Sequence, residues 1–210
     1  MARPDAARTL EASRRGFDRW APTYEEDRRS RWIAEVQREA LDALDIGAND
    51  RMLDVGCGSG AAVRAAAELA ESAVGLDLSP GMIARARALA ATLPNVRFVV
   101  SESARLPFED GSFTAVLCTT SFHHYPDPER SVREMARVLA SGGRLVIADP
   151  SADRRGVRMA DFFLRRFDQS HVRLYRSSEM AAFFYGARLE GVEIRKVWSG
   201  AFGIIRGRKP

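Results

Sequence analysis

Cysteine, lysine and histidine are all scarce in this 210-residue chain, and no long apolar run occurs in it. The two cysteines, Cys57 and Cys118, stand far apart and belong to neither a CxxC pair nor a Cys/His cluster of zinc spacing. That excludes a disulfide scaffold and a structural zinc site, and it fits a reducing, cytoplasmic setting. No stretch approaches the roughly 18 to 20 apolar residues needed to span a bilayer, and the opening MARPDAARTL holds no apolar signal segment. Neither membrane insertion nor secretion is expected, and no membrane partner is assigned. Repeats of roughly 20 to 50 residues and low-complexity tracts are also lacking, which removes solenoids and propellers. Lysine occurs only at Lys196 and Lys209, so arginine carries nearly all the positive charge, a trait of composition rather than of guanidinium chemistry.

What is present is the balance of a globular domain. Hydrophobic residues make up 46% of the chain and charged ones 29%, enough to bury one sizeable core over residues 1–210. The pI is near 9.5, yet the excess is only +4 and acids interleave with bases almost throughout. A nucleic-acid partner is therefore not expected.

The order of elements carries the fold. Residues 5–20 and 30–45 read as helices, the second with Trp32, Ile33, Val36, Ala40, Leu41 and Leu44 at helical spacing and Gly47 as its C-cap. Residues 1–46 are expected to form a helical cover. Strands at 52–55, 73–76, 96–100, 113–119 and 144–148 then alternate with helices at 61–69, 80–93 and 128–139, with Ser79 and Asp127 as N-caps. Short apolar runs separated by helices predict a parallel sheet covered on both faces. Residues 150–188 read as a mainly helical insertion. Residues 192–198 and 201–208, separated by Ser199 and Gly200, read as a closing antiparallel hairpin, giving seven strands with the last reversed.

The most informative segment is Leu53-Asp54-Val55-Gly56-Cys57-Gly58-Ser59-Gly60, at a strand-to-helix junction. Its glycines permit a sharp turn and close approach of a ligand to the backbone. A dinucleotide fingerprint has the spacing GxGxxG and cradles a pyrophosphate. Here the spacing is GxGxG, and the Asp54 carboxylate would repel an anion, which disfavours an NAD(P)-dependent oxidoreductase. Asp77 ends the second strand, where a carboxylate can accept hydrogen bonds from both hydroxyls of a ribose. The alternative for Asp77 is a solvated acid capping the next helix.

The series LDVGCGSG, VGLDLS, RLPFEDGSF and SFHHYPDPERSVREMARVLASGGRLVIAD resembles, in order and spacing, the class I S-adenosylmethionine-dependent methyltransferases, in particular the small-molecule type 11 group. The resemblance covers about residues 15 to 208. It implies an α/β, Rossmann-like three-layer sandwich with strand order 3-2-1-4-5-7-6 and strand 7 antiparallel. It also implies S-adenosyl-L-methionine as cofactor, S-adenosyl-L-homocysteine as product, a small-molecule acceptor, and a monomer or homodimer. Carried over by residue, Gly56, Cys57, Gly58 and Gly60 line the methionine part, with Asp54 supporting the loop and the amino group. Asp77 holds the ribose, Leu78 and Met82 pack on adenine, and Thr119 ends the fourth strand beside the cofactor. The family's third motif usually has an Asp before Ala to receive the adenine amino group. Here Ser103 precedes Ala104, so weaker adenine selection is expected, with Glu102 facing elsewhere. Phe113-Thr114 replaces the usual Phe-Asp, a change read as structural.

A sulfonium methyl is already activated, so alignment and exclusion of water are the main demands. A base is needed only for an acceptor that carries a proton. His123 and His124 follow the fourth strand beside the expected methyl position, and imidazole titrates near neutrality. His124 is placed ahead of His123, although either could simply hold the loop. No metal site is assigned to His123, His124 and Asp127, because adjacent histidines rarely point the same way. His171, Arg173 and Tyr175 are candidates for the acceptor pocket within the insertion. Phe162, Phe163 and Phe167 have two readings, pocket wall or core. Tyr24, in the segment Phe17 to Tyr24, is expected either to close over the sulfonium through a cation–π contact or to pack in the core. The replacement at Ser103 also leaves open a module that binds the cofactor without catalysis.

Overall fold

The computed structural model describes residues 6–26 and 28–210. Asp5, at the start of the first expected helix, and the side chain of Trp32 lie outside the described residues. Helices α1 (Ala6–Trp20) and α2 (Arg28–Leu44) precede β1 (Arg51–Val55), α3 (Ala61–Ala67), β2 (Ser72–Asp77), α4 (Pro80–Leu89), β3 (Val96–Val100) and β4 (Phe113–Thr119). After them come α5 (Pro128–Val138), β5 (Leu139–Pro150), α6 (Arg155–Phe167), α7 (Ser177–Gly186), β6 (Glu190–Val197) and β7 (Phe202–Arg208). The sheet order is β3-β2-β1-β4-β5-β7-β6, with β7 antiparallel to both of its neighbours and the other pairings parallel.

The central strands are apolar on both faces because both faces are covered. Leu53 and Val55 of β1 and Val116 and Cys118 of β4 point into a core shared with Met135 of α5 and with Met180 and Phe184 of α7. Met52, Ala115 and Leu117, one step out of phase, point to the other face against Val36 and Leu44 of α2, Val63 of α3 and Ile83 of α4. Each such large apolar side chain contributes about 1.5 to 3 kcal/mol by leaving water. Asp54 shares the parity of Met52 and is fully buried, an acid in the middle of this core.

The expected N-caps form: Ser79 Oγ accepts from the Met82 amide at 3.0 Å, and Asp127 accepts from the Arg130 amide at 3.1 Å. Helix α2, in contrast, is closed not by Gly47 but by Asp45, which takes the left-handed conformation at φ +58° directly after Leu44. Thr114, where the family usually has Asp, donates to Asp50 at 2.6 Å and accepts from the Arg51 amide at 3.0 Å, a structural role as expected. Helices α3 and α4 stop earlier than their apolar periodicity suggested. Leu69, beyond the end of α3, is 60% exposed and adds no packing that would extend the helix. Strand β5 starts earlier than expected, and its pairing with β4 shifts between Phe113 and Ala115 as it passes Gly142 and Gly143. The hairpin turn runs through Trp198, Ser199 and Gly200 in left-handed conformation, at φ +51°, +54° and +83°.

The insertion departs most from expectation. α7 lies on the sheet and supplies Met180 and Phe184 to the core, so it is part of the covering layer rather than a lid on the acceptor site. Phe162, Phe163 and Phe167 on α6 are 69%, 54% and 79% exposed; none is core, and only Phe162 edges an open surface pocket. The reason is that α6 docks by its polar side. Its buried residue is Asp161, which accepts from His171 Nε2 and from the Leu174 amide, both at 2.8 Å. Among the described residues no helix is long and apolar enough to cross a membrane.

Candidate active site

The carboxyl ends of β1 and β2 are joined by the glycine turn. The amides of Gly56 and Cys57 both donate to the Leu76 carbonyl, at 2.7 and 3.0 Å, which pins the turn to β2. Gly56 has φ +79°, and a Cβ there would stand 2.3 Å from Ser121 Oγ, so no other residue fits. Gly58 has φ +54° and faces the Tyr24 ring, whose hydroxyl would lie 3.5 Å from an added Cβ. The Gly58 amide donates to Asp77 Oδ2 at 2.8 Å, and the Ser79 amide donates to Asp77 Oδ1 at 2.9 Å. Asp77 therefore braces the turn and the start of α4 and also lines the cleft. Burial raises its pKa even though these amides favour the anion.

Beside this turn lies a cleft that encloses about 720 Å³ when its open mouth is counted. Tyr24, Gly56, Cys57, Gly58, Asp77, Leu78, Ser103, Thr119 and His124 all line it. Among the described residues, two buried groups here lack hydrogen-bond partners: the hydroxyl of Thr119, which lines the cleft, and both carboxylate oxygens of Asp54, behind the lining on the adjacent strand β1. Burial, aided by the nearby Asp77, pushes the Asp54 carboxyl up to about 8. Unsatisfied acceptors of this kind cost about 1 to 3 kcal/mol each and are met by a ligand that brings donors or positive charge. The ammonium and sulfonium of S-adenosylmethionine fit that demand, whereas a pyrophosphate does not.

The first residues form the outer wall. Asp18 accepts from Ser79 Oγ at 2.6 Å and from the Gly81 amide at 2.9 Å, so the end of α1 is bound to the start of α4. Glu25 accepts from Ser59 Oγ at 2.8 Å and from Arg64 Nη2 at 2.7 Å, fixing the other side of the same segment to α3. Tyr24 is held between these anchors, edge-on to Trp20 at 4.6 Å between ring centroids. Burial, with Asp77 and Asp54 nearby, raises its phenol well above the ordinary value. Phe17 lines the cleft and stands edge-on to His124 at 5.2 Å.

At the far end, the two adjacent histidines part ways. His123 Nδ1 lies 3.0 Å from both oxygens of the fully buried Asp149. Burial disfavours its cation, but the Asp149 carboxylate prevails, and the His123 pKa rises. His124 Nδ1 lies 2.7 Å from the Ser170 carbonyl, which can only accept, so Nδ1 carries the proton and Nε2 keeps a lone pair. Burial, and then the charge on His123, hold the His124 pKa well below the ordinary imidazole value. A neutral imidazole with an accepting nitrogen thus lines the cleft, while His123, its pKa raised by Asp149, stands behind it.

Other expected residues lie elsewhere. Gly60 sits behind the turn, where a Cβ would meet the Phe98 ring at 2.7 Å; it allows helix-to-sheet packing rather than lining the cleft. Met82 is fully buried in the protein, Asp54 lies behind the lining side chains, and the half-buried Ala104 does not line the cleft. His171 is tied up with Asp161, and burial lowers its pKa. Arg173 pairs with Glu179 and covers the Tyr175 ring at 4.9 Å, while Tyr175 packs in the core on Phe122 and Phe183. None of these three lines the cleft, because 168–175 serves to seat the histidines and α6. Glu102, expected to face away, lines the cleft beside Ser103. Ser131 donates to the Asp127 carbonyl at 3.0 Å, so Ser103 must donate to Ser131 Oγ at 2.9 Å. Its lone pairs remain available to accept from a ligand. Tyr125 and Ser121, which the sequence did not single out, also line the cleft and both reach the Val55 carbonyl, at 3.1 and 3.3 Å.

A parallel sheet with a ligand cleft across the carboxyl ends of β1, β2 and β4, an acid at the end of β2 and unsatisfied acceptors within, defines the class of nucleoside-cofactor-binding α/β proteins. Comparisons narrow it. The Methyltransferase domain family model matches residues 53–147. Over 160 residues the chain is 34% identical to the uncharacterized methyltransferase YcgJ of Bacillus subtilis, covering 74% of this chain and 63% of that one. Over 177 residues it is 32% identical to a demethylmenaquinone methyltransferase of Tropheryma whipplei, covering 82% of this chain and 73% of the relative. The crystal structure of YcgJ superposes with a TM-score of 0.74 at 24% identity, covering 84% and 98% of the two chains. A chain of a Haloferax volcanii complex containing the Trm112 methyltransferase activator gives 0.83 at 24%, covering 94% and 97%. The chain belongs to the class I S-adenosylmethionine-dependent methyltransferase family, in its type 11 group. It spans less than two thirds of the length of YcgJ.

Proposed function

We propose that the chain transfers the methyl group of S-adenosylmethionine to a small molecule whose acceptor atom carries a proton. The observation that carries this is the buried, unpartnered Asp54 carboxylate at the carboxyl end of β1, directly behind a cleft lined by Asp77 and a neutral histidine. When bound, the cofactor supplies a methyl group on a sulfonium, already activated for displacement. Asp54 and Thr119 would hold the amino acid end, Asp77 the ribose hydroxyls, and Leu78 the adenine face, with Ser103 or Glu102 accepting from the adenine amino group. Tyr24 and Phe17 exclude water from above the transfer position.

His124 Nε2 would take the proton from the acceptor, and the Ser170 carbonyl keeps its ring in the accepting tautomer. Leu10, Ser13, Phe17 and Gln37 wall this end, which suits a partly apolar acceptor with few polar groups. The test is incubation with methyl-labelled cofactor and a panel of phenols, alcohols and amines. Label in at least one proton-bearing acceptor, with matching release of S-adenosylhomocysteine, is the expected result. Cofactor binding with no transfer to any acceptor would leave a binding module in place of an enzyme.

A further inference from the structure

Helix α6 turns its apolar face away from the protein. Met159, Phe163 and Phe167 recur every fourth residue and share an arc with Leu164. In a surface helix that arc normally faces the core, yet these side chains are 64%, 54%, 79% and 42% exposed. The side against the body is polar. Asp161 accepts from His171 and the Leu174 amide, and Arg158 Nη1 donates to the carbonyls of Ala152 and Asp153 at 3.3 Å. A contiguous, water-exposed aromatic face of this kind marks an interaction surface.

We propose that α6 docks on the headgroup region of an anionic lipid bilayer, lying along the surface with its phenylalanines inserted. The charges favour this occupant. Arg154, Arg155 and Arg166 are exposed at the helix against one exposed acid, the C-cap Asp168, while Asp161 is turned inward. Rings that reach the acyl boundary, with guanidinium groups left at headgroup level, are the composition of an interfacial helix. A second copy docked on the same face would bring like-charged arginines together. At 13 residues the helix is far too short to span a bilayer, so the lack of a spanning run does not bear on docking. The linker leaving α6 supplies the Ser170 carbonyl, to which both Ser13 and His124 donate, so the docking face lies one short segment from the acceptor end of the cleft.

Flotation of the full chain with phosphatidylcholine vesicles, and with vesicles that also contain phosphatidylglycerol, tests this. Recovery with the anionic vesicles is expected, falling as salt rises, and falling about tenfold or more in the double variant F163S/F167S. Both rings are exposed, so the variant should keep the wild-type melting temperature and cofactor titration, which separates this test from that of methyl transfer. Failure to float with anionic vesicles, equal recovery on neutral ones, or undiminished recovery of the variant each overturns the proposal. So does a wild-type dimer that the variant abolishes, which would assign the face to a second copy.

Discussion

His123 and His124 are neighbours in sequence, with ring centroids 4.1 Å apart, yet they are held by opposite chemistry: His123 by the Asp149 carboxylate, His124 by the Ser170 carbonyl. One is stabilised as a cation and the other kept neutral. The charge on the first helps keep the proton off the second.

His124→Ala should lower turnover by about 10² to 10⁴ for an acceptor that must lose a proton, with cofactor affinity nearly unchanged. In the wild type the acid limb of the kcat profile should fall below the ordinary imidazole value, because the base form is lost only as pH drops through a lowered pKa. Steady-state kinetics across pH checks both. Retention of turnover and of the limb would make His124 a loop residue.

Asp149→Asn removes the carboxylate that keeps His123 charged. Near neutral pH His123 should then be largely neutral, its repulsion of a proton on His124 should vanish, and the acid limb should move up in pH. A pH–rate profile of the variant that overlays the wild type would remove this coupling.

Asp54 costs the fold stability that a bound cofactor would repay. Its carboxyl titrates near 8 in the folded chain and near the ordinary carboxylate value when unfolded, so the unfolded state loses its proton first. Stability should therefore fall as pH rises between about 4 and 8, and be flat in this respect outside that window. Asp54→Asn should raise the melting temperature of the cofactor-free protein at pH 7 while weakening cofactor binding. Thermal melts and titrations on the same sample check the exchange of stability for affinity.

Gly58→Val should abolish cofactor binding without unfolding the chain. The position has φ +54° and lies on the cleft wall against Tyr24, so a branched side chain is strained and projects where the ligand must pass. Calorimetry and circular dichroism of the variant provide the two readouts.

The alternation of strands and helices, the glycine turn and Asp77 were legible because each depends on local pattern: an apolar run, a glycine spacing, a residue at a strand end. The sheet order and the places of Thr119 and His124 came with the family resemblance. What escaped depends on contacts distant in sequence. Asp18 and Glu25 read as ordinary charges on a helical cover, and only the fold carries them to α4 and α3 to seat Tyr24. Periodicity located the apolar face of α6 but could not say which side meets the body. Asp161 decides that through His171 and Leu174, and the aromatics are left outside. His171, Arg173 and Tyr175 looked like acceptor contacts by composition, but they are consumed by carboxylates and core packing.

Titration calorimetry of S-adenosylmethionine into the wild type and Asp77→Ala tests the central claim most directly. The account predicts saturable binding of one cofactor per chain, weakened in the variant by about 1.5 to 3 kcal/mol, roughly ten- to hundredfold in Kd. Absence of binding to the wild type, or an Asp77→Ala affinity within about twofold of it, would contradict the assignment of this cleft to the cofactor.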